Sequence, residues 1–271
     1  MLFTLVILAV LLFGAWTFGA PYLVAWKRRR LGDKPFPSAW REILRRRVPA
    51  FSRLPADLQS RLRKHIQVFV AEKEFVGCDG LEVTDEMRVT IAAQACLLIL
   101  NRADFYPRLR QILVYPSAFV VERLQGDGIG LQQESSQVLS GESWAHGQVV
   151  LSWEDVVRGA AIPDDGRNVV IHEFAHQLDQ EKGQATGAPL LGRRERYVRW
   201  SRVLNEEFAD LQNRAYLGQT ALFDFYGATA PAEFFAVASE VFFEQPQRMA
   251  IEHPALYREL AELYGVDPLN W

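Results

Sequence analysis

Cysteine is scarce in this 271-residue chain, where Cys78 and Cys96 are the only two. Two thiols cannot build a disulfide-rich scaffold or a zinc site made of cysteine alone, and they read as reduced core residues. An excess of charge of one sign is also missing. With 30 basic and 33 acidic residues the net charge is -3. That is not the basic surplus of a general nucleic-acid binder, so no direct nucleic-acid partner is expected. Internal repeats and low-complexity tracts are absent as well. Apolar residues make up 49%, enough for a packed core, and the length suits one sizeable domain plus extras.

The most local absence is at the start. The first 26 residues, "MLFTLVILAVLLFGAWTFGAPYLVAW", carry no charge, and Lys27, Arg28, Arg29 and Arg30 come directly after. A helix needs about 20 apolar residues to cross a bilayer. A cleaved signal peptide would place its positive charge before the apolar run and small residues at its end. Nothing basic precedes this run, and Phe18 and Pro21 spoil the best small-residue site. The segment therefore reads as an uncleaved transmembrane anchor over 1–26. The basic cluster keeps the rest of the chain on the cytoplasmic side, giving a single-pass protein of the inner membrane. Residues 27–50, with Pro35, Pro37 and Pro49 and a short helix "SAWREILRRR", read as a basic juxtamembrane linker facing the membrane. A single domain is expected over 51–271.

Helical periodicity appears in "LPADLQSRLRKHIQVFVAEKEF", with Leu58, Leu62, Ile66, Phe69 and Val70 on one side. It returns in "TDEMRVTIAAQACLLILNR", where Thr84 suits an N-cap and the apolar wrap from Ile91 to Leu100 marks a core helix. "QILVYPSAFVV" and "QVVLSW" are β-branched runs that read as strands, with at least one more strand or hairpin between them. Helices then resume: one over roughly 166–181, a longer one in "RRERYVRWSRVLNEEFADLQNRAYL", one in "APAEFFAVASEVFFEQP" opened by Pro231, and a terminal one closed by Gly265. The order implies an α+β fold with a small mixed sheet and a mostly helical remainder.

The chemistry concentrates in "VVIHEFAHQLDQ", residues 169–180. His172 and His176 are four apart, nearly one helical turn, so they project on the same side. Two imidazoles so placed can fill two corners of a tetrahedral zinc site. Glu173 is rotated about 100° away and can act as general base without ligating the metal. This is the HExxH arrangement of zinc hydrolases. A helix carrying two hydrogen-bonded histidines is the bland alternative, and the apolar start and well-marked ends of the segment weigh against it. Asp179, seven residues after His172, can accept the outer ring proton of a ligating histidine, hold a neighbouring segment, or be an ordinary polar residue. His65, His146 and His253 have no motif around them. A catalytic zinc needs a third protein ligand. The apolar helix "PAEFFAVASEVFFE" offers Glu233 and Glu240, seven apart on one face. Buried carboxylates need a cation or donors, and Glu233 also suits a first helical turn, so spacing leaves both open.

Together, "VLSWEDV", "NVVIHEFAHQLD", "YGATAPAEFFAVASEVFFEQP" and "LYGVDP" resemble the Mlc titration factor A (MtfA) family of zinc metallopeptidases over roughly 40–271. The resemblance implies a gluzincin-like, zincin-type metallopeptidase domain, similar to the catalytic domain of anthrax lethal factor. It implies one zinc ion per chain on His172, His176 and Glu233, with Glu173 as catalytic base and Glu240 as a supporting acid. It also implies that Tyr226, seven residues before Glu233, lines the site and donates to the oxyanion. The substrate expected is a peptide or protein. The alternative is a regulatory protein that sequesters a transcriptional repressor of the Mlc kind, with weak or incidental peptidase activity. A soluble cytosolic role, as in that family's named member, sits poorly with the apolar N-terminus.

Overall fold

The structure is a computed structural model. It describes residue 4 and residues 19–102, 104–117, 119–126, 132–139, 141–144 and 147–271, with backbone alone between 118 and 146. Helix α1 occupies 19–32. After it come α2 (Ser38–Arg47), α3 (Ala50–Arg53), α4 (Ala56–Glu72), strand β1 (Glu74–Gly77) and α5 (Asp85–Leu97). The strands β2 (Gln111–Tyr115), β3 (Phe119–Gly126), β4 (Gln132–Leu139), β5 (Gly141–Trp144) and β6 (Gln148–Ser152) come next. The rest is helical: α6 (Trp153–Ala161), α7 (Val169–Asp179), α8 (Arg194–Leu217), α9 (Pro231–Glu244), α10 (Pro246–Glu252) and α11 (Pro254–Tyr264).

The sheet has the order β1-β2-β6-β5. β1, β2 and β6 run parallel, and β5 lies antiparallel on β6 with Gly141 opposite Leu151. This is the expected small mixed sheet in a mostly helical α+β chain. The β3 and β4 strands form a separate antiparallel hairpin, which answers to the extra hairpin expected there. The run expected as one strand over 111–121 is two. Pro116 has no N–H to give a ladder, and β2 ends at Tyr115 just before it.

α5 is the core helix. Residues 89 to 100 are all buried, and the Thr84 side chain caps its start by accepting from Met87 N–H at 3.3 Å. α7 packs its apolar side on this core. Phe174 lies 4.8 Å from the ring of Tyr106 and 5.7 Å from that of Phe69. Tyr106 is fully enclosed, and its hydroxyl donates to Ala95 O at 2.6 Å. Edge-to-face aromatic contacts have preferred geometries, so this cluster fixes how the face of α7 that carries His172 and His176 is turned.

Most of the apolar segment read as a membrane anchor lies outside the described residues. Among the described residues, no helix is long and apolar enough to cross a membrane. In the part that is described, Tyr22, Leu23, Val24 and Trp26 are exposed on α1. The next turns of α1 lie against the domain. Arg28 makes a forked pair with Glu72, both contacts at 2.9 Å, and its guanidinium sits 4.8 Å from the Phe105 ring centre. Lys64 reaches Asp33 at 2.7 Å. α2 is tied to α5 by Trp40 donating to Asp85 at 3.0 Å and Arg46 to Glu86 at 2.8 Å.

Candidate metal centre

α7 starts where the sequence places polar punctuation. The Asn168 side chain accepts from Ile171 N–H at 3.1 Å, a local N-cap. Two acids of α9 hold that start. Glu240 accepts from Asn168 N–H. Glu244 accepts from the N–H groups of Gly166 and Arg167 and from the Asn168 side-chain amide, each at 3.0 Å. Burial pushes the Glu244 carboxyl up to about 8; the Asn168 bond pulls the other way, and nearby Asp165 and Glu240 add to the rise. Sequence reading missed Glu244. Its only signal was a carboxylate at the end of an otherwise apolar helix.

One turn into α7 the imidazoles of His172 and His176 stand 4.9 Å apart, centre to centre. Glu233, in the first turn of α9, meets both. Its Oε2 is 3.1 Å from His172 Nε2 and 3.2 Å from His176 Nε2. One ligand atom from each residue lies within 4.8 Å of the others, the one such group among the described residues. Zinc bonds of about 2.0–2.1 Å imply tetrahedral ligand separations of about 3.3 Å, close to those two contacts. Two imidazole nitrogens and one carboxylate are a donor set that suits zinc, so these residues fit the ion.

The two open candidates for the third ligand are thereby separated in space. Glu240 does not reach the Nε2 side. Its Oε1 lies 2.8 Å from His172 Nδ1, the position from which a carboxylate fixes ring orientation and raises the basicity of the opposite nitrogen. Burial acts to lower the His172 pKa, yet the bonds to Glu233 and Glu240 carry it well above the ordinary histidine value. Burial acts to raise Glu233, and the two histidines hold it well below the ordinary carboxylate range.

Glu173 is 5% exposed and comes directly after His172 on α7. Tyr226 lies in a 3-10 turn (Phe225–Ala228), with its ring centre 5.9 Å from that of His172. Asp179 takes the segment-holding role and not the histidine-supporting one. Its carboxylate accepts from the backbone N–H groups of Thr186 (2.7 Å), Gly187 (2.6 Å) and Ala188 (2.9 Å). Gly187 has φ +76, and a Cβ there would come within 2.5 Å of Pro231 O. Asp179 thus sets the loop against which α9 begins, two residues before Glu233. Among the described residues, His176 Nδ1 is buried with no hydrogen-bond partner. His65 stacks on Phe105 and His253 meets Glu207 at 2.6 Å; His146 lies outside the described residues.

The profile of the family described as glucose-regulated metallo-peptidase M90 matches residues 23–265. The Synechocystis protein slr2042 is 40% identical over 272 residues, 99% of each chain. The Mlc titration factor A of Klebsiella pneumoniae subsp. pneumoniae is 36% identical over 234 residues, covering 85% of this chain and 86% of its own. That of Escherichia fergusonii is 34% identical over 248 residues, covering 90% of this chain and 91% of its own.

Proposed function

Because the chain belongs to the glucose-regulated metallo-peptidase M90 family, we propose that it is a zinc-dependent peptidase that hydrolyses peptide bonds in a peptide or protein substrate. The observation that carries this reading is the convergence of His172, His176 and Glu233 from two helices into one ligand triangle, with Glu173 next to the first ligand. One zinc ion per chain would be held by those three side chains, with a fourth position left open. When bound, it supplies Lewis acidity, lowering the pKa of water to about 7 and polarising the scissile carbonyl.

The remaining work falls to the chain's own groups. Glu173 takes the proton of the attacking water and returns it to the leaving amine. Tyr226 donates from its phenol to the carbonyl oxygen as that oxygen gains charge. Glu240 keeps the His172 ring turned with Nε2 towards Glu233, and Asp179 with Gly187 keeps α9 in register with α7. Substituting Glu173→Gln removes the base and no ligand. That variant is expected to retain one zinc per chain by elemental analysis and to lose hydrolysis of a quenched-fluorescent peptide library. Wild-type turnover in zinc-loaded Glu173→Gln would remove Glu173 from the mechanism.

The setting proposed for this activity is the inner membrane. Residues 1–26 form the anchor, 27–50 the juxtamembrane stretch and 51–271 the catalytic domain in the cytoplasm. A second reading comes from the relatives named Mlc titration factor A. In it the chain binds a transcriptional repressor, and hydrolysis is secondary. Pull-down from lysate beside a peptidase assay on the same preparation separates the two. The repressor reading gains if Glu173→Gln captures the repressor as well as wild type while wild type cleaves nothing.

A further inference from the structure

The turn that carries Tyr226 is held from outside the metal centre. Asp224 has two tasks there. Its Oδ1 accepts from Tyr226 N–H at 2.9 Å, which fixes the backbone from which the phenol projects. Its Oδ2 accepts from Arg167 Nη2 at 2.7 Å, and Arg167 is the residue before the N-cap of α7. The backbone N–H of Arg167 is itself bound to Glu244, so the far end of this ion pair stands on the fixed start of the metal-binding helix. The turn is also seated from below. A Cβ at Gly227 would lie 3.3 Å from Val237 and 3.4 Å from Phe234 Cα, so the turn lies close against α9, the helix of Glu233, and a side chain there would crowd it. Thr229 donates to Tyr226 O at 2.7 Å, and Gln212 of α8 donates to Ala228 O at 3.1 Å.

Resting on the peptidase reading of the same site, we propose that Asp224 is a positioning residue for Tyr226, and that its ion pair with Arg167 latches the Tyr226 turn to the start of α7. The pair is 75% exposed at Arg167 and 37% at Asp224. An ion pair that open to water contributes little to stability. Its location gives it a different effect: it fixes the distance between the phenol and the two histidines. Misplacement of a group by about 1 Å can cost a large factor in rate. Because the latch is exposed, salt screens it, whereas the buried contacts of Glu240 and Glu244 are not screened in the same way.

The test uses the full chain loaded with zinc, a quenched-fluorescent peptide library as substrate, and amide hydrogen exchange over 224–229. Asp224→Ala is expected to lower kcat about tenfold with KM within about twofold, with zinc content and unfolding midpoint close to wild type. Arg167→Ala should lose less, Arg167→Lys should recover most of that loss, and rising salt should slow wild type but not Arg167→Ala. In a Tyr226→Phe background Asp224→Ala should cost nothing further, because the two changes remove one contribution. Full activity in Asp224→Ala, or a loss that adds to that of Tyr226→Phe, would overturn the proposal. If zinc-loaded wild type cleaves no peptide, the peptidase reading is what fails. The latch is then judged by exchange alone: faster exchange at the Tyr226 amide in both Asp224→Ala and Arg167→Ala sustains it, and unchanged exchange in both ends it.

Discussion

At the scale of single residues, the centre separates two glutamates that look alike in the chain. Glu233 and Glu240 are two turns apart on one face of α9, and periodicity treats them equally. The difference is which imidazole nitrogen each meets. Glu233 faces Nε2 of both histidines, and Glu240 faces Nδ1 of His172. Loss of an outer carboxylate partner typically costs about 10–100-fold in metal affinity; loss of a ligand costs more. Glu233→Gln is therefore expected to weaken zinc binding well beyond Glu240→Gln, measured by competition with a chelator of known affinity. The reverse order would give the ligand role to Glu240. HExxH was legible because its chemistry is a helical spacing. The supporting role of Glu240 came only with the family resemblance, and those of Glu244 and Asp224 were not legible, since each depends on an approach between segments more than 50 residues apart.

At the scale of elements, legibility depends on the length of each periodic signal. The long helices α4, α5, α8 and α9, the strands β2 and β6 and the α5 N-cap stand where the apolar pattern puts them. β1, α6 and α10 were missed. Each is short: four residues in β1, nine in α6 and seven in α10. β1 succeeds α4 with only Lys73 between, so its apolar residues read as a continuation of the helix. α6 starts at once after β6 on a Ser152 cap that accepts from Asp155 N–H, so "LSWEDV" hides a strand end and a helix start in the same residues.

Lys73 marks the α4–β1 junction and carries a pH signature. It is 9% exposed, and its Nζ donates to Tyr106 O at 2.7 Å and Leu109 O at 2.8 Å, pinning the approach to β2. Burial lowers its pKa from 10.5 to about 8, with neighbouring Glu72 opposing. Below pH 8 both folded and unfolded chains carry this proton, and folding bears the cost of burying the charge. Between about 8 and 10.5 the folded chain releases it while the unfolded chain keeps it, so stability rises with pH through that window. Wild type is expected to gain roughly 1–2 kcal/mol relative to Lys73→Met between pH 7.5 and 9.5, read from denaturant unfolding at each pH. A constant difference between the two proteins would mean that Lys73 does not titrate in that window.

At the scale of the whole molecule, the proposed inner-membrane setting turns on how the start of the chain joins the rest of it. The uncharged start of the chain runs into α1, whose first described turns expose Tyr22, Leu23, Val24 and Trp26 and whose later turns are fastened to α4 by Arg28 and Asp33. A helix apolar at one end and docked at the other would hold the domain close to the bilayer, where aromatic and basic residues favour the interface. Full-length protein is therefore expected to sediment with membranes and resist extraction by salt and carbonate, with a C-terminal reporter active only if it is a cytoplasmic type. Chains trimmed to begin at 27 or at 35 should both be soluble and hydrolytic, because every proposed catalytic residue lies beyond 170. They should differ in stability. The chain starting at 27 keeps the forked, half-buried Arg28–Glu72 pair and the Asp33–Lys64 contact; the one starting at 35 loses both. A difference of roughly 1–2 kcal/mol is expected in denaturant unfolding, most of it from the charge-assisted forked pair. Equal stabilities would mean that α1 lies on the domain without holding it. A mature N-terminus near residue 21, with the domain in the periplasm, would show a cleaved signal and move the whole activity to the other side of the membrane.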